Sequence, residues 1–432
     1  MSSDVIILGA GLSGLATAQR LGESGLSVAM IEARDRIGGR LWSLAPPGDA
    51  GSIELGPEWF DCDGPVHRLL AKAGAEVREA LGGFVRRAGS EVVRVDWDRE
   101  EAAGLRQRLH DRARGDQSLR AALDECCSDG KFSDERQDLL GYVQGFHAAD
   151  PDRLSLHWFL EVERNQPAEA SPYRAPGGLH QLIEGFRRSL APRTDHRLET
   201  LAIAVRWKRG RVEVDVDHHG AVETLDAPAL VVTLPVSLLA APADRKGAIE
   251  FSPSLEMKRQ AFDTLLMGAA IKLVFRFDRP FWRDVPGLGE ALFIQDVSQP
   301  FPTWWTAQPA DSPVITGWIG GPPAGRAAAR APEELRNEAV TSLAHATGRR
   351  TSDVAGSLLS WHYHDWVNDP LSRGAYSWVA VNGLEAHTAL AASLDETLFF
   401  AGEATRGQGF NATMDGAIES GWRAAEEVLA TR

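Results

Sequence analysis

The chain has 432 residues, 44% hydrophobic and 25% charged, which is typical of a globular protein with roughly two or three domains. Its net charge of −14 argues against nucleic acid as a partner, and the sequence lacks the run of about 18 apolar residues that spans a membrane. The three cysteines form neither a disulfide framework nor a metal-ligand pattern, so we expect a cytoplasmic protein without a metal site.

The start of the chain predicts a nucleotide-binding unit. Val5–Leu8 is an apolar run expected of a buried parallel strand, and Leu12–Leu21 has the spacing of a helix. Between them, Gly9 permits a tight turn, Gly11 lets a pyrophosphate approach the backbone, and Gly14 lets the helix pack on the strand. The free N–H groups at the start of the helix would face the phosphates.

A second strand, an acidic residue and a further glycine pair follow. Leu26–Ile31 is the predicted strand, and Glu32 lies where a carboxylate would accept hydrogen bonds from ribose hydroxyls. Gly39 again allows close backbone approach, and Arg40 offers a charge-assisted contact to phosphate.

This first stretch, Asp4 to Arg40, resembles the start of the flavin-dependent amine oxidases. That family includes monoamine oxidases, polyamine oxidases and flavin histone demethylases. The resemblance implies FAD as the cofactor, and it adds Ala33 and Arg34 to the residues that bind it.

The next segment predicts a turn at 46–48 and a short strand at Ile53–Leu55. Gly56 allows another close backbone approach. In the resembling family this segment passes beside the flavin ring, which implies a cofactor contact for Trp59. Polyamine oxidases often place an acid or histidine two residues after that tryptophan, facing the substrate amine, and here the position is Asp61. The alternative for Asp61 is an aspartate in a solvated turn.

Periodicity predicts the middle of the chain more coarsely. The predictions are helices over 64–80, most of 96–190, 180–190 and 332–347; strands over 83–95 and 230–234; a hairpin over 206–216; and a small-residue loop over 322–331. The resemblance implies that the strand after Leu198 contacts adenine through the backbone of Ala202.

Residues 268–277 read GAAIKLVFRF and predict a strand. From spacing alone, Lys272 is an exposed strand lysine. The resemblance reverses that expectation, because family members carry Ile-Lys before a Pro-Phe-Trp, here residues 280–282, and their lysine holds a water against flavin N5. We therefore expect Lys272 to be catalytic, since a lysine aimed into a flavin cleft favours developing negative charge.

Residues 361–379 resemble the family's Trp…Gly-x-Tyr segment. The resemblance implies that Trp366 packs at the flavin and that Tyr376 flanks the substrate amine, both as catalytic residues; without it, both would be read as core aromatics. Mitochondrial monoamine oxidases have a cysteine bonded to FAD just before that tyrosine. Here the residue is Ala375, so we expect FAD to be bound without a covalent link.

The block over 399–429 ends a strand, turns, and continues as a long helix. The helix N-terminus would point N–H groups at the flavin N1–C2=O edge. The resemblance places Gly402, Glu403 and Met414 at the cofactor. Thr413 stands where monoamine oxidases have an aromatic residue of the amine cage and polyamine oxidases often have threonine, which implies contacts with both cofactor and substrate.

We therefore expect an α/β fold with two domains. A discontinuous Rossmann-like FAD-binding domain is predicted from 1–80, 195–250 and 385–432, and a substrate domain of mixed sheet and helices from 81–194 and 251–384. The expected reaction is oxidation of a small-molecule amine, with hydride transfer to flavin N5, hydrolysis of the imine, and reoxidation by O2 to give hydrogen peroxide.

Three alternatives share parts of these motifs. An L-amino-acid oxidase needs a cation for the substrate carboxylate, and residues 56–59 contain none. A carotenoid desaturase or porphyrinogen oxidase should prefer membranes and apolar substrates. A non-catalytic FAD-bound scaffold would need neither Lys272 nor Tyr376. The sequence leaves open which amine is oxidised and the oligomeric state, with a homodimer as one option.

Overall fold

The computed structural model describes residues 3–44, 52–95, 100–112, 115–165, 172–242, 244–407 and 409–432. The turn predicted at 46–48 lies outside the described residues. The strands, in chain order, are β1 (Val5–Leu8), β2 (Val28–Ile31), β3 (Ser43–Leu44), β4 (Ile53–Glu54), β5 (Arg78–Glu79), β6 (Gly83–Ala88), β7 (Glu91–Arg94), β8 (Tyr173–Arg174), β9 (Thr194–Arg197), β10 (Thr200–Lys208), β11 (Arg211–His218), β12 (Ala221–Ala227), β13 (Ala229–Val232), β14 (Glu250–Ser252), β15 (Leu265–Met267), β16 (Ala270–Phe277), β17 (Ala291–Gln295), β18 (Thr303–Thr306), β19 (Val314–Gly320), β20 (Leu358–Tyr363), β21 (Ser377–Val379) and β22 (Leu398–Phe400).

The helices, in the same order, are α1 (Leu12–Glu23), α2 (Pro65–Lys72), α3 (Glu100–Arg112), α4 (Leu119–Cys126), α5 (Ser133–Phe146), α6 (Leu156–Asn165), α7 (His180–Ser189), α8 (Val236–Leu239), α9 (Arg259–Thr264), α10 (Gly321–Ala327), α11 (Pro332–Thr347), α12 (Thr351–Ser357), α13 (Ala386–Ala391) and α14 (Met414–Ala430). Short 3₁₀ helices lie at Glu256–Lys258, Phe281–Asp284 and Glu403–Thr405.

A five-stranded parallel sheet with the order β22-β13-β1-β2-β9 forms one large layer of the fold. Its central strands are apolar on both faces because both faces are covered. Val5 and Ile7 pack against the helical side, formed by α1, α7 and α14. Ile6 and Leu8 point the other way and join the core of a second, four-stranded sheet, β12-β11-β10-β14.

A seven-stranded sheet with the order β20-β16-β19-β18-β17-β6-β7 forms the other large layer. Neighbouring strands are antiparallel except β17 and β6, which run parallel. Alternate residues of β16, such as Leu273 and Phe275, pack with α10 and α11 in one core. Lys272 directly precedes Leu273 in β16 and therefore points to the opposite face, towards β4 and the residues that follow it.

The predicted α/β architecture is confirmed, and several of its predicted elements coincide with observed ones. Two local predictions are wrong. Residues 322–331 are predicted as a loop, but α10 occupies Gly321–Ala327, because prolines fit the first turn of a helix and alanine favours its continuation. The helix predicted over 64–80 ends at Lys72, and Arg78–Glu79 instead pairs with β8.

None of the helices in these described ranges combines the length and hydrophobicity that crossing a bilayer requires. Within the same ranges, no group of three or more His, Cys, Asp or Glu side chains is arranged to hold a metal ion.

Candidate cofactor and substrate site

The glycine-rich turn between β1 and α1 is packed too closely for side chains. Gly9 has φ +101°, and a Cβ added to Gly14 would lie 2.0 Å from the Gly9 carbonyl oxygen. A Cβ on Gly39 would lie 3.1 Å from the Cα of Gly11, so two backbone segments pass each other there. This geometry leaves backbone N–H groups, rather than side chains, at the start of α1.

The N-terminus of α1 has the features of a phosphate site. Its first turn is preceded by Gly11, and no side chain caps its N–H groups. The buried hydroxyl of Ser13 is in the first turn and finds no hydrogen-bond partner in the part of the chain described. Uncapped N–H groups, a positive helix end and an unpartnered buried hydroxyl fit a cofactor pyrophosphate. Sequence reasoning missed Ser13, although its place within the glycine motif was a usable signal.

Glu32 ends β2 and is buried. Its carboxylate accepts hydrogen bonds from the N–H groups of Ala10, at 2.8 Å, and Arg34, at 2.9 Å, so it links the glycine turn to the chain beyond β2. Burial raises the pKa of the Glu32 carboxyl. Ala33 lies between these residues, half-buried. The Arg34 guanidinium lies 2.8 Å from the carboxylate of Asp369, so the structure gives its charge a protein partner.

Arg40 and Glu403 form an ion pair at 2.8 Å, joining the two ends of the predicted cofactor site. Glu403 also accepts hydrogen bonds from the Ser377 hydroxyl, at 2.6 Å, and the Ala412 N–H, at 3.0 Å. Burial raises the pKa of Glu403, but the charge of Arg40 and these hydrogen bonds outweigh it, so the pKa is lowered. Gly402, with φ +130°, makes the turn that precedes it.

The long C-terminal helix predicted within 399–429 is α14, which begins at Met414. Thr413 is its N-cap: the hydroxyl accepts from the Gly416 N–H at 2.9 Å and donates to the Phe410 carbonyl at 2.8 Å. Met414, the first helical residue, is buried. The hydroxyl of Thr413 is therefore occupied by the cap, a role that its position before a helix could have indicated.

Lys272 is buried, with 4% of its side chain exposed. Its ammonium donates a hydrogen bond to the Gly56 carbonyl at 2.8 Å and lies 5.7 Å from the ring centroid of Trp305. Burial lowers the pKa of Lys272 well below its usual value; Glu54 opposes this effect and Arg174 adds to it. The exposed position expected from spacing alone is thus wrong.

Glu58 brings a carboxylate to Lys272 that the sequence did not single out. It forms an ion pair with Lys272 and another with Arg174, and it accepts a hydrogen bond from the Trp305 indole at 3.2 Å. Arg174 also lies 4.3 Å from the ring centroid of Trp59. No local pattern predicted this cluster, because its members come from four separate stretches of the chain.

The backbone at Leu55 and Gly56 is tightly packed and is hydrogen-bonded by Trp366. A Cβ on Gly56 would lie 2.0 Å from the Arg40 carbonyl oxygen, so glycine is required there by the close approach of the two segments. The Trp366 indole donates a hydrogen bond to the Leu55 carbonyl at 2.9 Å. Lys272 and Trp366 thus hold consecutive carbonyls, those of Gly56 and Leu55.

An aromatic wall adjoins this cluster. We use that name for Trp59, Phe84, Phe293, Trp305 and Trp318. Phe84 and Phe293 stack with ring centroids 4.4 Å apart, and Trp59 lies 5.5 Å from Phe293. Because residues alternate along β18, Trp304 packs in the core while its neighbour Trp305 faces Glu58. Such a surface suits the apolar part of a small amine.

Tyr376 and Asp61 occupy different surroundings. The Tyr376 hydroxyl donates to the Phe146 carbonyl at 2.7 Å, and burial raises its pKa above the usual value, with Tyr142 adding to the effect. Asp61 is exposed. It lies near Asp415, whose pKa is raised to about 6 by burial first and by the charge of Asp61 in part.

Ala202 is buried on β10, opposite Val216 of the four-stranded sheet.

The predicted site residues form two groups in the structure. The glycine turn, Glu32 and the N-terminus of α1 lie together at the ends of β1 and β2. Lys272, Trp59 and Trp366 lie around residues 55–58.

Comparison with known proteins shows which family the chain resembles over nearly its whole length. The chain is 26% identical to polyamine oxidase 3 of Oryza sativa subsp. japonica, over 98% of this chain and 88% of that protein. It is also 26% identical to amine oxidase [flavin-containing] A of Sus scrofa, over 99% of this chain and 85% of that protein. The structure of wild-type putrescine oxidase bound to putrescine superposes with a TM-score of 0.81, 22% identity, and coverage of 100% and 99%, which shows a shared fold.

The family model described as flavin containing amine oxidoreductase matches residues 12–429, nearly the whole chain. FAD is the cofactor of these amine oxidases, and the glycine turn and the uncapped α1 N-terminus fit its pyrophosphate. The expected cofactor and enzyme class are thereby confirmed. The chain therefore belongs to the family of flavin-containing amine oxidoreductases, and its cofactor is FAD.

Proposed function

We propose that this chain oxidises a small-molecule amine that binds as the neutral species beside the aromatic wall. When bound, FAD would supply a hydride acceptor at N5 for the amine α-carbon and, once reduced, a two-electron donor to O2; the amine would become an imine that water hydrolyses to a carbonyl compound, and O2 would become hydrogen peroxide. The observation that carries this proposal is Lys272, a buried lysine on an apolar strand that is held against the Gly56 carbonyl.

The residues proposed to hold FAD follow the chain from its glycine turn to its last helix. They are Ser13 together with Gly9, Gly11, Gly14, Glu32, Ala33, Arg34, Gly39, Arg40, Gly56, Trp59, Ala202, Trp366, Gly402, Glu403, Thr413 and Met414. We propose the domain division given by the sequence: 1–80, 195–250 and 385–432 for FAD, with 81–194 and 251–384 for substrate. The link to FAD is proposed to be non-covalent.

Three side chains are proposed to act near the reacting atoms. The ammonium of Lys272 favours negative charge that develops close to it. Trp366 packs at the flavin and fixes the Leu55 carbonyl. Tyr376 flanks the amine, and because burial raises its pKa, the phenol stays protonated further into the alkaline range than an exposed one. Thr413 and Asp61 are proposed substrate contacts at the edge of the site.

The structure bears on the amino-acid oxidase alternative. Such an enzyme needs a cation for the substrate carboxylate, and Arg174 is a cation close to the aromatic wall. Its guanidinium, however, already forms an ion pair with Glu58 and donates to the carbonyls of Thr306 and Gln308 at 2.8 and 2.9 Å. Because those partners satisfy Arg174, we favour an amine without a carboxylate.

The test is anaerobic mixing of the FAD-bound protein with benzylamine, putrescine, spermidine, tryptamine and L-amino acids, while the visible absorbance of the flavin is followed. Bleaching by one class of amine is the expected result, and it identifies the substrate class. Bleaching by L-amino acids alone would support the alternative, and a flavin that none of these compounds reduces would contradict the proposal.

The rate of that reduction should rise with pH through the pKa of the bound amine, because the amine must lose its proton before hydride transfer. The measurement is the limiting rate of bleaching at saturating amine over a series of pH values. A rate that is independent of pH would contradict binding as the neutral species.

A further inference from the structure

Four segments of the chain meet at the carboxylate of Glu58. The loop after β4 supplies Glu58 itself, β16 supplies Lys272, β8 supplies Arg174, and β18 supplies Trp305. Only 4% of the Glu58 side chain, 4% of Lys272 and 13% of Arg174 are exposed. A buried carboxylate with two cations and an indole donor is a fully satisfied polar cluster.

The charge of Lys272 depends on this cluster. A buried ammonium is strongly disfavoured unless a counterion and hydrogen bonds compensate for lost water. Besides Glu58, the charged groups that act on Lys272 are Glu54, which stabilises its charge, and Arg174, which opposes it. The residue opposite Lys272 on β19 is the uncharged Trp318. Glu58 is the acid in direct contact with the ammonium.

We propose that Glu58 is a positioning residue, which keeps Lys272 charged and fixed against the Gly56 carbonyl. The inference rests on the proposed role of Lys272 beside the flavin. It also explains why Glu58 is not itself a base or an ammonium site for the substrate, since both of its oxygens are engaged by protein groups.

Arg174 anchors Glu58 from the opposite side. Its guanidinium donates to the carbonyls of Thr306 and Gln308 and stacks over Trp59. Because Arg174 has these partners, its ion pair holds the Glu58 carboxylate in place beside Lys272. Lys272 therefore has one well-defined position, between Glu58 and the carbonyl of Gly56.

The variant Glu58→Gln tests the proposal in the FAD-bound protein. The first measurement is the midpoint potential of the flavin against pH, where protonation of a nearby group causes an inflection. The inflection due to Lys272 is absent in Lys272→Met. In Glu58→Gln it should move about one to three pH units lower, because an opposite charge at contact distance favours the charged form by that amount.

The second measurement is reoxidation of the photochemically reduced flavin by O2, in which the reduced cofactor passes two electrons and two protons to O2 and gives hydrogen peroxide. Above the wild-type inflection, Glu58→Gln should react at least about tenfold more slowly than wild type, the factor that a shift of one pH unit represents. The double variant Glu58→Gln/Lys272→Met should equal Lys272→Met, because Glu58 acts through Lys272.

Asp296→Asn is the matched control. Asp296 is also a buried carboxylate in an ion pair, with His345, at the end of β17. Its loss should leave the inflection and the reoxidation rate unchanged. Glu58→Asp keeps the charge but shortens the side chain, so it should give a smaller shift than Glu58→Gln. If Glu58→Gln does not retain FAD, an unshifted inflection in Glu58→Asp overturns the proposal.

The outcomes separate this inference from the proposed function. An unshifted inflection in Glu58→Gln, with a shifted or missing one in Lys272→Met, overturns the role of Glu58 alone. A wild-type profile in Lys272→Met overturns the proposed role of Lys272 beside the flavin and, with it, the role of Glu58. Photochemical reduction needs no amine, so both measurements stand even if no amine bleaches the flavin.

Discussion

Gly14 lies where no side chain fits. A Cβ at this position would lie 2.0 Å from the Gly9 carbonyl oxygen, so α1 must move away from the turn to admit a methyl group. We expect Gly14→Ala to destabilise the fold by about 1–3 kcal/mol or more, the usual range for overpacking, and to purify without FAD. The measurements are the flavin absorbance of the purified protein and its urea unfolding.

Gly141→Ala is the control for that substitution. Gly141 lies within α5, and a Cβ there meets no atom within 4 Å. Because alanine favours helix, this variant should keep its FAD and unfold at the same or a slightly higher urea concentration. A Gly14→Ala protein that retains FAD as fully as Gly141→Ala would contradict the close approach seen here.

Single residues were predictable where their reason is local. The glycines of the first turn and Glu32 follow from spacing, because the turn, the helix and the strand are neighbours in sequence. Lys272 was not predictable from alternation, since the face opposite the aliphatic core is also covered. Glu58 was missed because its partners come from distant strands, and only the folded chain brings them together.

At the scale of elements, one buried lysine, Lys258, caps the C-terminus of α13. Lys258 donates hydrogen bonds to the carbonyls of Ala389, Leu390 and Ala392, at 2.9, 3.0 and 2.6 Å, at the C-terminus of α13. Its ammonium also lies 4.1 Å from the ring centroid of Phe400 on β22. The lysine therefore satisfies helix carbonyls that would otherwise be buried without donors.

Lys258→Met should reduce the free energy of unfolding by about 1–3 kcal/mol, the penalty for unsatisfied buried carbonyls. Burial lowers the pKa of Lys258 from 10.5 to about 8, so between these values the unfolded chain binds more protons than the folded one. The stability that Lys258 contributes therefore rises with pH across this window, and the difference between wild type and the variant should be larger at pH 10 than at pH 7 in urea titrations.

Lys208→Met, at an exposed site on β10, controls for the loss of a charge. It should change the free energy of unfolding by less than about 0.5 kcal/mol, as most surface substitutions do. A Lys258→Met protein as stable as Lys208→Met, or a difference from wild type that shrinks as the pH rises, would be the contrary result.

Elements with a clear period were predicted well, as α11 illustrates, since its bounds coincide with the predicted 332–347. The small-residue loop predicted before it is wrong because the prolines of residues 322–323 are compatible with the start of a helix. In α10 they occupy the first turn, where a missing N–H costs nothing. Boundaries set by long-range pairing, such as the β5–β8 ladder, leave no local signal in the sequence.

At the scale of the whole molecule, buried ion pairs join stretches far apart in the chain. Arg34, which follows β2, pairs with Asp369 at 2.8 Å, and Asp369 also accepts from His364 at 2.6 Å and from the Leu371 N–H at 2.8 Å. His364 packs against Trp366, with ring centroids 4.3 Å apart. The predicted nucleotide site is thereby connected to the segment predicted to pack at the flavin.

Asp369→Asn should therefore weaken both the fold and FAD retention. Removing one partner of a buried ion pair costs about 3–5 kcal/mol, whereas Asp195→Asn, in an exposed pair with Arg197, should cost less than about 1 kcal/mol.

The stability that Asp369 contributes should also depend on pH. Burial raises the pKa of Asp369, but His364, Leu371 and Arg34 outweigh the effect of burial and lower the pKa from 3.8 to about 2. The stability that Asp369 contributes is thus present above pH 3.8 and is lost as the pH falls towards 2. Chemical unfolding of both variants between pH 7 and pH 2 measures this: the difference between wild type and Asp369→Asn should shrink in the acid range. An Asp369→Asn protein within 1 kcal/mol of wild type at pH 7, still saturated with FAD, would show that the two sites fold without this connection.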